Sequence, residues 1–322
     1  MKAIRVRENG GAGELKLEEL PDPVPAQGEA LVRIEAAGVN FAEVYQRKGW
    51  YPVPLPYTPG AEGAGTVVAV SRGVDTVIVG DRVVSQGFRG SYAELSIAPA
   101  ERLVKIPEGV STRKAAAAML QGLTAHYLAT STYTLQMGDW CLVHAAAGGV
   151  GLLLCQIARM RGALAIGTVS TEEKARLARE AGAHATINYT SQDFVAEVRR
   201  LTGGKGVKVV YDSVGATTFK GSLDVLAPRG LMALFGQSSG QVPPFDPQIL
   251  NQKGSLFLTR PTLAHYVATR EELMARSSDL LGWIERGALQ IRVHAEFPLA
   301  EAGKAHEALE SRGTAGKILL VP

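Results

Sequence analysis

Cysteine is scarce in this sequence: Cys141 and Cys155 are the only two in 322 residues. That excludes a disulfide framework and leaves too few thiolates for a zinc-ligand cluster. Both lie in apolar segments, where a free thiol behaves as a small hydrophobe. Long apolar runs are missing as well. None approaches the roughly 20 residues needed to cross a bilayer, and the N-terminus lacks the apolar segment of a signal peptide. A cytoplasmic protein with no membrane partner is therefore expected. Charge of one sign is not concentrated anywhere: 34 basic residues against 31 acidic ones leave a net charge of +3, spread along the chain. Without a basic run or an Arg/Lys stripe, a nucleic-acid surface finds no support. No Ser-His-Asp or paired-carboxylate spacing points to hydrolysis. Internal repeats and low-complexity segments are absent too.

What is present is ordinary for a globular protein. Apolar residues make up 46% and charged residues 20%, enough for a sizeable core, and the length suits about two domains. Period-two patterning predicts strands at 2–7, 14–20, 29–37, 66–70, 82–85 and 92–97. A helix is expected at 40–48, with Asn40 as its N-cap. Residues 50–60 hold too many prolines for regular structure and must form a shaped loop. The opening third is thus mostly β. At 112–129 the composition changes to an Ala-rich helix.

From Asp139 onward, strand and helix alternate. Strands are predicted at 140–145, 163–169, 185–188, 207–214 and 231–235, with helices at 150–160, 171–181, 191–201 and 217–226. The strands are short apolar runs, as parallel strands buried on both faces require. Ser170 and Glu173 have capping-box spacing, and Gly162 and Gly182 sit where helices end. This pattern is a doubly wound α/β domain. A strand at 255–259 follows, then a helix from Thr269, with Glu272 as capping partner, to Gly287. A strand at 291–297, a helix at 300–311 and a strand at 317–321 close the chain. These last elements are expected to complete the first domain, which makes the nucleotide domain an insertion.

The chemistry centres on Trp140-Cys141-Leu142-Val143-His144-Ala145-Ala146-Ala147-Gly148-Gly149-Val150-Gly151. An apolar strand runs into small residues and then into a helix, which is how a dinucleotide-binding unit opens. Against Gly-x-Gly-x-x-Gly, Ala146 takes the first position, followed by Gly148 and Gly151. A small residue still permits the turn, and the helix N-terminus still favours a pyrophosphate. The second strand ends Val169-Ser170-Thr171 with no acid to bond a ribose 2′-OH. Lys174 lies one turn further, and Tyr189 closes the third strand. A missing carboxylate with a nearby ammonium argues for a 2′-phosphate, hence NADPH. The plain alternative is that Lys174 is one more solvated helix lysine. His144, in a strand, reads as a core histidine.

Asn40-Phe41, the run Gly60-Ala61-Glu62-Gly63-Ala64-Gly65, Gly80-Asp81-Arg82-Val83, the glycine loop and Tyr211-Asp212-Ser213-Val214-Gly215 together resemble medium-chain dehydrogenase/reductases. Within them, Leu250-Asn251-Gln252-Lys253-Gly254-Ser255-Leu256 and Leu309-Glu310-Ser311-Arg312 are similar to the zinc-free quinone oxidoreductase branch that includes zeta-crystallin. The resemblance spans essentially the whole chain. It implies a GroES-like β-rich catalytic domain at 1–122 and 262–322, with an inserted Rossmann domain at 123–261. It also implies NADPH, quinone acceptors and a homodimer joined through the Rossmann domains. Zinc alcohol dehydrogenases of the superfamily place a Cys where this chain has Asn40 and a His where it has Ala61. Near Gln121 there is no Cys counterpart to their third ligand. Without those ligands no Lewis acid polarises an alcohol oxygen, so no metal is expected.

A quinone or activated alkene gives a delocalised anion on hydride addition, so positioning and hydrogen bonds can supply much of the acceleration. Asn40, Tyr45, Tyr51, Gln121 and Arg260 are the candidates around the acceptor. Tyr45 and Tyr51 can equally pack the loop, and Arg260 can equally form a structural salt bridge. The resemblance carries cofactor contacts onto Thr124, Gly148, Gly149, Val150, Ser170, Lys174, Tyr189, Phe235, Gly236, Ser238 and Arg312, with Asn40 and Tyr45 beside them. Two rivals to quinone reduction stand: reduction of an enone or alkenal double bond, and a non-enzymatic nucleotide- or RNA-binding role.

Overall fold

Residues 1–322 are described in a computed structural model, in which two units form: Met1–Leu123 with Val267–Pro322, and Thr124–Tyr266. The first opens with an antiparallel ribbon of β1 (Lys2–Arg5) and β2 (Lys16–Glu19). β3 (Glu29–Val39) turns Val32 and Ile34 inward and Arg33 and Glu35 outward, the alternation of a half-buried strand. Helix α1 (Phe41–Arg47) follows, then β4 (Gly63–Val70), β5 (Arg82–Ser85), β6 (Leu95–Pro99), β7 (Val104–Lys105) and helix α2 (Thr112–Tyr127). The Ala-rich helix passes into a wider π-type turn at Leu128–Thr132, where Thr130 Oγ1 donates to the His126 carbonyl (2.7 Å).

The second unit then alternates strictly: β8 (Trp140–Val143), α3 (Gly149–Met160), β9 (Leu164–Val169), α4 (Glu172–Glu180), β10 (Ala185–Asn188), α5 (Phe194–Leu201), β11 (Val207–Asp212), α6 (Phe219–Asp224), β12 (Leu226–Leu234), α7 (Gln248–Gln252), β13 (Phe257–Thr259) and α8 (Leu263–Tyr266). Its six strands are all parallel, in the order β10-β9-β8-β11-β12-β13. The order reverses between β8 and β11, the switch point of a doubly wound sheet. Leu142, Ile166, Val210 and Met232 meet in its core, with Val198 and Leu223 from the covering helices. At about 1.5–3 kcal/mol per fully buried side chain, this core is what holds the sheet.

The chain returns to the first unit with α9 (Arg270–Glu285), β14 (Val293–Pro298), α10 (Ala302–Glu310) and β15 (Lys317–Val321). The larger sheet runs β14-β15-β3-β4-β5-β7, with β6 also paired to β3. β15 lies antiparallel to β3, with Leu319 opposite Gly38, which brings the last strand against the approach to Asn40. Thr269 and Glu272 form the capping box of α9, as the sequence predicts.

Several boundaries differ from expectation, and four of them have a clear physical cause. The cap of α4 is Thr171 rather than Ser170, because Thr171 Oγ1 accepts from the Lys174 N–H (3.2 Å). Ser170 is thereby left outside the helix. The strand expected at 92–97 begins at Leu95. The Tyr92 carbonyl accepts from the Ile4 N–H (2.8 Å), so this stretch first pairs with β1. α5 starts only at Phe194, after Asp193 caps the Val195 N–H (2.9 Å). The helix expected at 217–226 is shorter, since Leu226 already pairs with Val207 in β12.

Candidate active site

In the second unit, β8 hands the chain to the turn before α3. Ala145 adopts φ +51°, and the Gly148 N–H donates back to its carbonyl (2.8 Å). Gly148 caps α3 without any side chain, and no acid occupies the first turn. The opening amides thus face no protein carboxylate or hydroxyl, which suits a diphosphate at the positive end of the helix. A Cβ on Gly151 would lie 2.4 Å from the Ala145 carbonyl oxygen, so only glycine allows this close approach. The residues present fit the dinucleotide that the resemblance implies.

The residues expected at the 2′ end lie after neighbouring strands and in the first turn of α4. Tyr189, 46% exposed, donates its N–H to the Val169 carbonyl (3.1 Å), which sets it beside Ser170. Lys174 is in the first turn of α4, and burial draws its ammonium below the usual lysine range, partly offset by Glu173. Glu172 is turned to Arg179 instead. Phe235 and Gly236 both donate N–H groups to the Asp212 carbonyl, and Ser238 donates to that of Ser213. The structure therefore gathers these three at the end of β11. Thr124 is buried in α2, and Arg260 follows β13 and is exposed.

In the first unit, Asn40 caps α1 from a buried position. Its amide is oriented by its neighbours. Oδ1 accepts from Lys317 Nζ (2.6 Å), and Nδ2 donates to Glu62 Oε2 (3.1 Å) and the Gly38 carbonyl (3.3 Å). Lys317 also pairs with Glu62, whose other oxygen accepts from the Leu120 N–H (2.6 Å). Glu43 takes the backbone N–H groups of Asn40 (3.0 Å) and Ala61 (3.4 Å). Burial lifts its carboxyl to about 7, against the pull of Lys317. Two acids and a lysine thus cross-link segments 38–43 and 60–62.

Tyr45 is buried and gathers an aromatic group: Trp50 stacks on it (5.6 Å), Tyr51 meets it edge-on (5.3 Å) and Phe41 lies at 5.9 Å. Trp50 and Tyr51 are exposed at the end of this group. Gln121 is partly buried in α2, and Arg312 is exposed with φ +60° after α10. Sequence reasoning missed Glu43, Glu62, Lys317 and Trp50. The three-residue spacing of Asn40 and Glu43 was a readable capping signal, and Glu62 lay inside a quoted motif. Lys317 had none, because only strand pairing brings it to Asn40.

An alcohol dehydrogenase GroES-like domain matches residues 26–108, and a zinc-binding dehydrogenase domain matches 149–279. A quinone oxidoreductase of Pseudomonas aeruginosa is 47% identical across 100% of this chain and 99% of its own. The chain belongs to the zinc-free quinone oxidoreductase branch of the medium-chain dehydrogenase/reductases. A 2-haloacrylate reductase of Burkholderia is also similar, 43% identical over 99% of this chain and 98% of its own. Among solved structures, an Escherichia coli quinone oxidoreductase complexed with NADPH matches with a TM-score of 0.98 and 45% identity, each chain fully covered (100%). Where the resemblance expects the Cys and His ligands of zinc dehydrogenases, this chain has Asn40 and Ala61. This donor set does not fit zinc: one side chain is an amide already bonded to an ammonium, and the other is a methyl.

Proposed function

We propose that this chain is an NADPH-dependent quinone oxidoreductase that works without a metal. The observation that carries the reading is the hydrogen-bonded set Asn40, Glu62 and Lys317 at the zinc-ligand position, together with a nucleotide loop whose 2′ end offers Ser170, Lys174 and Tyr189 and no strand-end carboxylate. NADPH supplies the hydride when bound. The amides of Gly149, Val150 and Gly151 hold the diphosphate, Gly148 shapes the turn with its own N–H bonded to the Ala145 carbonyl, and Lys174, Ser170 and Tyr189 select the 2′-phosphate. Thr124, Phe235, Gly236 and Ser238 orient the nicotinamide end, and Arg312 adds a cationic contact. In the first unit Tyr45, Tyr51 and Gln121 offer contacts to a flat acceptor, and in the second Arg260 offers a cation against the negative charge that develops on it. Asn40 acts from behind, because its amide hydrogens point to Glu62 and Gly38.

The likeness to a 2-haloacrylate reductase favours a second reading, reduction of an activated carbon–carbon double bond with the same hydride geometry. Steady-state NADPH oxidation with a 1,4-quinone and with an enone separates the two. A higher kcat/KM for the quinone is expected, and faster turnover of the enone would replace the first reading by the second. No oxidation with either acceptor, combined with a salt-sensitive shift of RNA, would favour a nucleic-acid-binding role instead.

The same reading includes a homodimer formed through the Rossmann units. Support comes from β13, an edge strand of the parallel sheet whose Phe257 is 59% exposed. It also places the enzyme in the cytoplasm, supported by two buried thiols that remain unpaired.

A further inference from the structure

His144 follows directly after β8, at the first position of the nucleotide turn, and it is 2% exposed. Both ring nitrogens are bonded: Nδ1 to Thr168 Oγ1 and Nε2 to Ser222 Oγ, each at 3.0 Å. The direction of the bonds follows from the far end. Asp212 accepts from Ser222 Oγ (2.8 Å), so the serine hydrogen is used there and its lone pair faces the imidazole. Nε2 must therefore carry the proton, and Nδ1 accepts the Thr168 hydroxyl. Burial keeps the ring below the usual histidine range, against the nearby Asp212 charge, so it stays neutral. Thr168 donates to His144, His144 to Ser222, and Ser222 to Asp212.

Asp212 is completely buried and is the anchor of this relay. Its carboxylate also accepts from the backbone N–H groups of Val214 (2.8 Å) and Gly215 (3.0 Å) and from Thr218 Oγ1 (2.7 Å). Backbone bonds run alongside: His144 N–H to the Tyr211 carbonyl (3.1 Å) and Ala146 N–H to the Thr168 carbonyl (3.0 Å). The four side chains thus join the C-terminal ends of β9, β8 and β11, where open α/β sheets receive their ligands. One end lies two residues before Ser170, the middle adjoins the glycine turn, and the other end braces the Val214–Gly215 turn. Phe194 meets the imidazole edge-on at 5.0 Å.

We propose that Thr168, His144, Ser222 and Asp212 form a positioning relay for NADPH, holding the diphosphate turn, the 2′ end of β9 and the turn after β11 in one register. The proposal rests on the NADPH reading of this unit. A buried polar chain is costly unless fully satisfied, and this one is satisfied at every atom with a single hydrogen direction. Removing the Thr168 hydroxyl leaves Nδ1 without its donor, and the loss is passed through the ring to Ser222 and Asp212.

A double-mutant cycle on NADPH affinity tests the relay without any acceptor turnover. Thr168→Val and Ser222→Ala should each raise the NADPH Kd about 5- to 10-fold, the scale of one lost buried hydrogen bond. The double variant should be no weaker than about the worse single one, because both break the same chain. Thr168→Ser keeps the hydroxyl and should return Kd to within about twofold of the parent. In steady state the loss should fall on the KM for NADPH rather than on kcat. Circular dichroism confirms that each variant is folded. Single variants that bind NADPH like the parent, effects that multiply in the double variant, or a Thr168→Ser as poor as Thr168→Val would each overturn the relay. A parent protein with no NADPH affinity would overturn the functional reading itself, so the two failures are distinct.

Discussion

Ala146 stands where the dinucleotide fingerprint has its first glycine, and Gly167 in the next strand makes room for it. A Cβ on Gly167 would lie only 2.6 Å from the Ala146 methyl. The turn is therefore kept by moving the missing atom to a neighbouring position, which a motif search along one segment does not see. At the 2′ end, Lys174→Ala should raise the KM for NADPH about tenfold or more while changing that for NADH less than about twofold, as loss of a charged hydrogen bond predicts. Equal effects on both nucleotides would remove the 2′-phosphate contact. Glu43 has its own pH signature. It keeps its proton to about 7 in the folded state, against 4.5 for an ordinary glutamate. The folded protein thus binds more protons in that window, and its stability falls as pH rises from about 4.5 through 7. Glu43→Gln should flatten this loss when urea midpoints are compared at about pH 5 and pH 7.5; an unchanged slope would assign it to another group.

Among the elements, those with strong periodicity and a clear cap were legible from the sequence, and α9 with Thr269 and Glu272 is the example. Errors arose where two candidate caps were adjacent, as at Ser170 and Thr171, or where a short strand chose between partners, as at 92–95. In both cases the deciding atom belongs to the three-dimensional arrangement rather than to the local pattern. α3 was read from its glycines, yet the reason for Gly151 is a contact distance. Gly151→Ala would press a methyl against the Ala145 carbonyl at 2.4 Å. The turn must shift, so NADPH affinity should fall at least about tenfold, with a stability loss of about 1–3 kcal/mol as for overpacking. Fluorescence titration with NADPH and a thermal melt read the two effects separately; unchanged affinity would mean that the turn is not the diphosphate cradle.

For the whole molecule, a GroES-like β unit interrupted by a parallel doubly wound unit agrees with the resemblance read from the motifs. No helix is long and apolar enough to cross a membrane. The exposed edge strand β13 bears on assembly. If the Rossmann units pair through it, Phe257→Lys should shift the protein from dimer to monomer in light scattering at micromolar concentration, since a lysine on the edge opposes strand pairing. A dimer that persists would place the interface elsewhere.

The chain by itself determined the fold class, the nucleotide loop and the preference for a 2′-phosphate, because these rest on local periodicity, small residues at a turn and one missing carboxylate. Tertiary structure alone decided how the chemistry is held. Lys317 lies 277 residues from Asn40 in the chain, yet pairing of β15 with β3 brings its ammonium to that amide. His144 looked like a core residue until Thr168 and Ser222 closed on its two nitrogens. Sequence pattern reports which face a residue turns inward; only packing between strands far apart in the chain decides which polar atoms meet there.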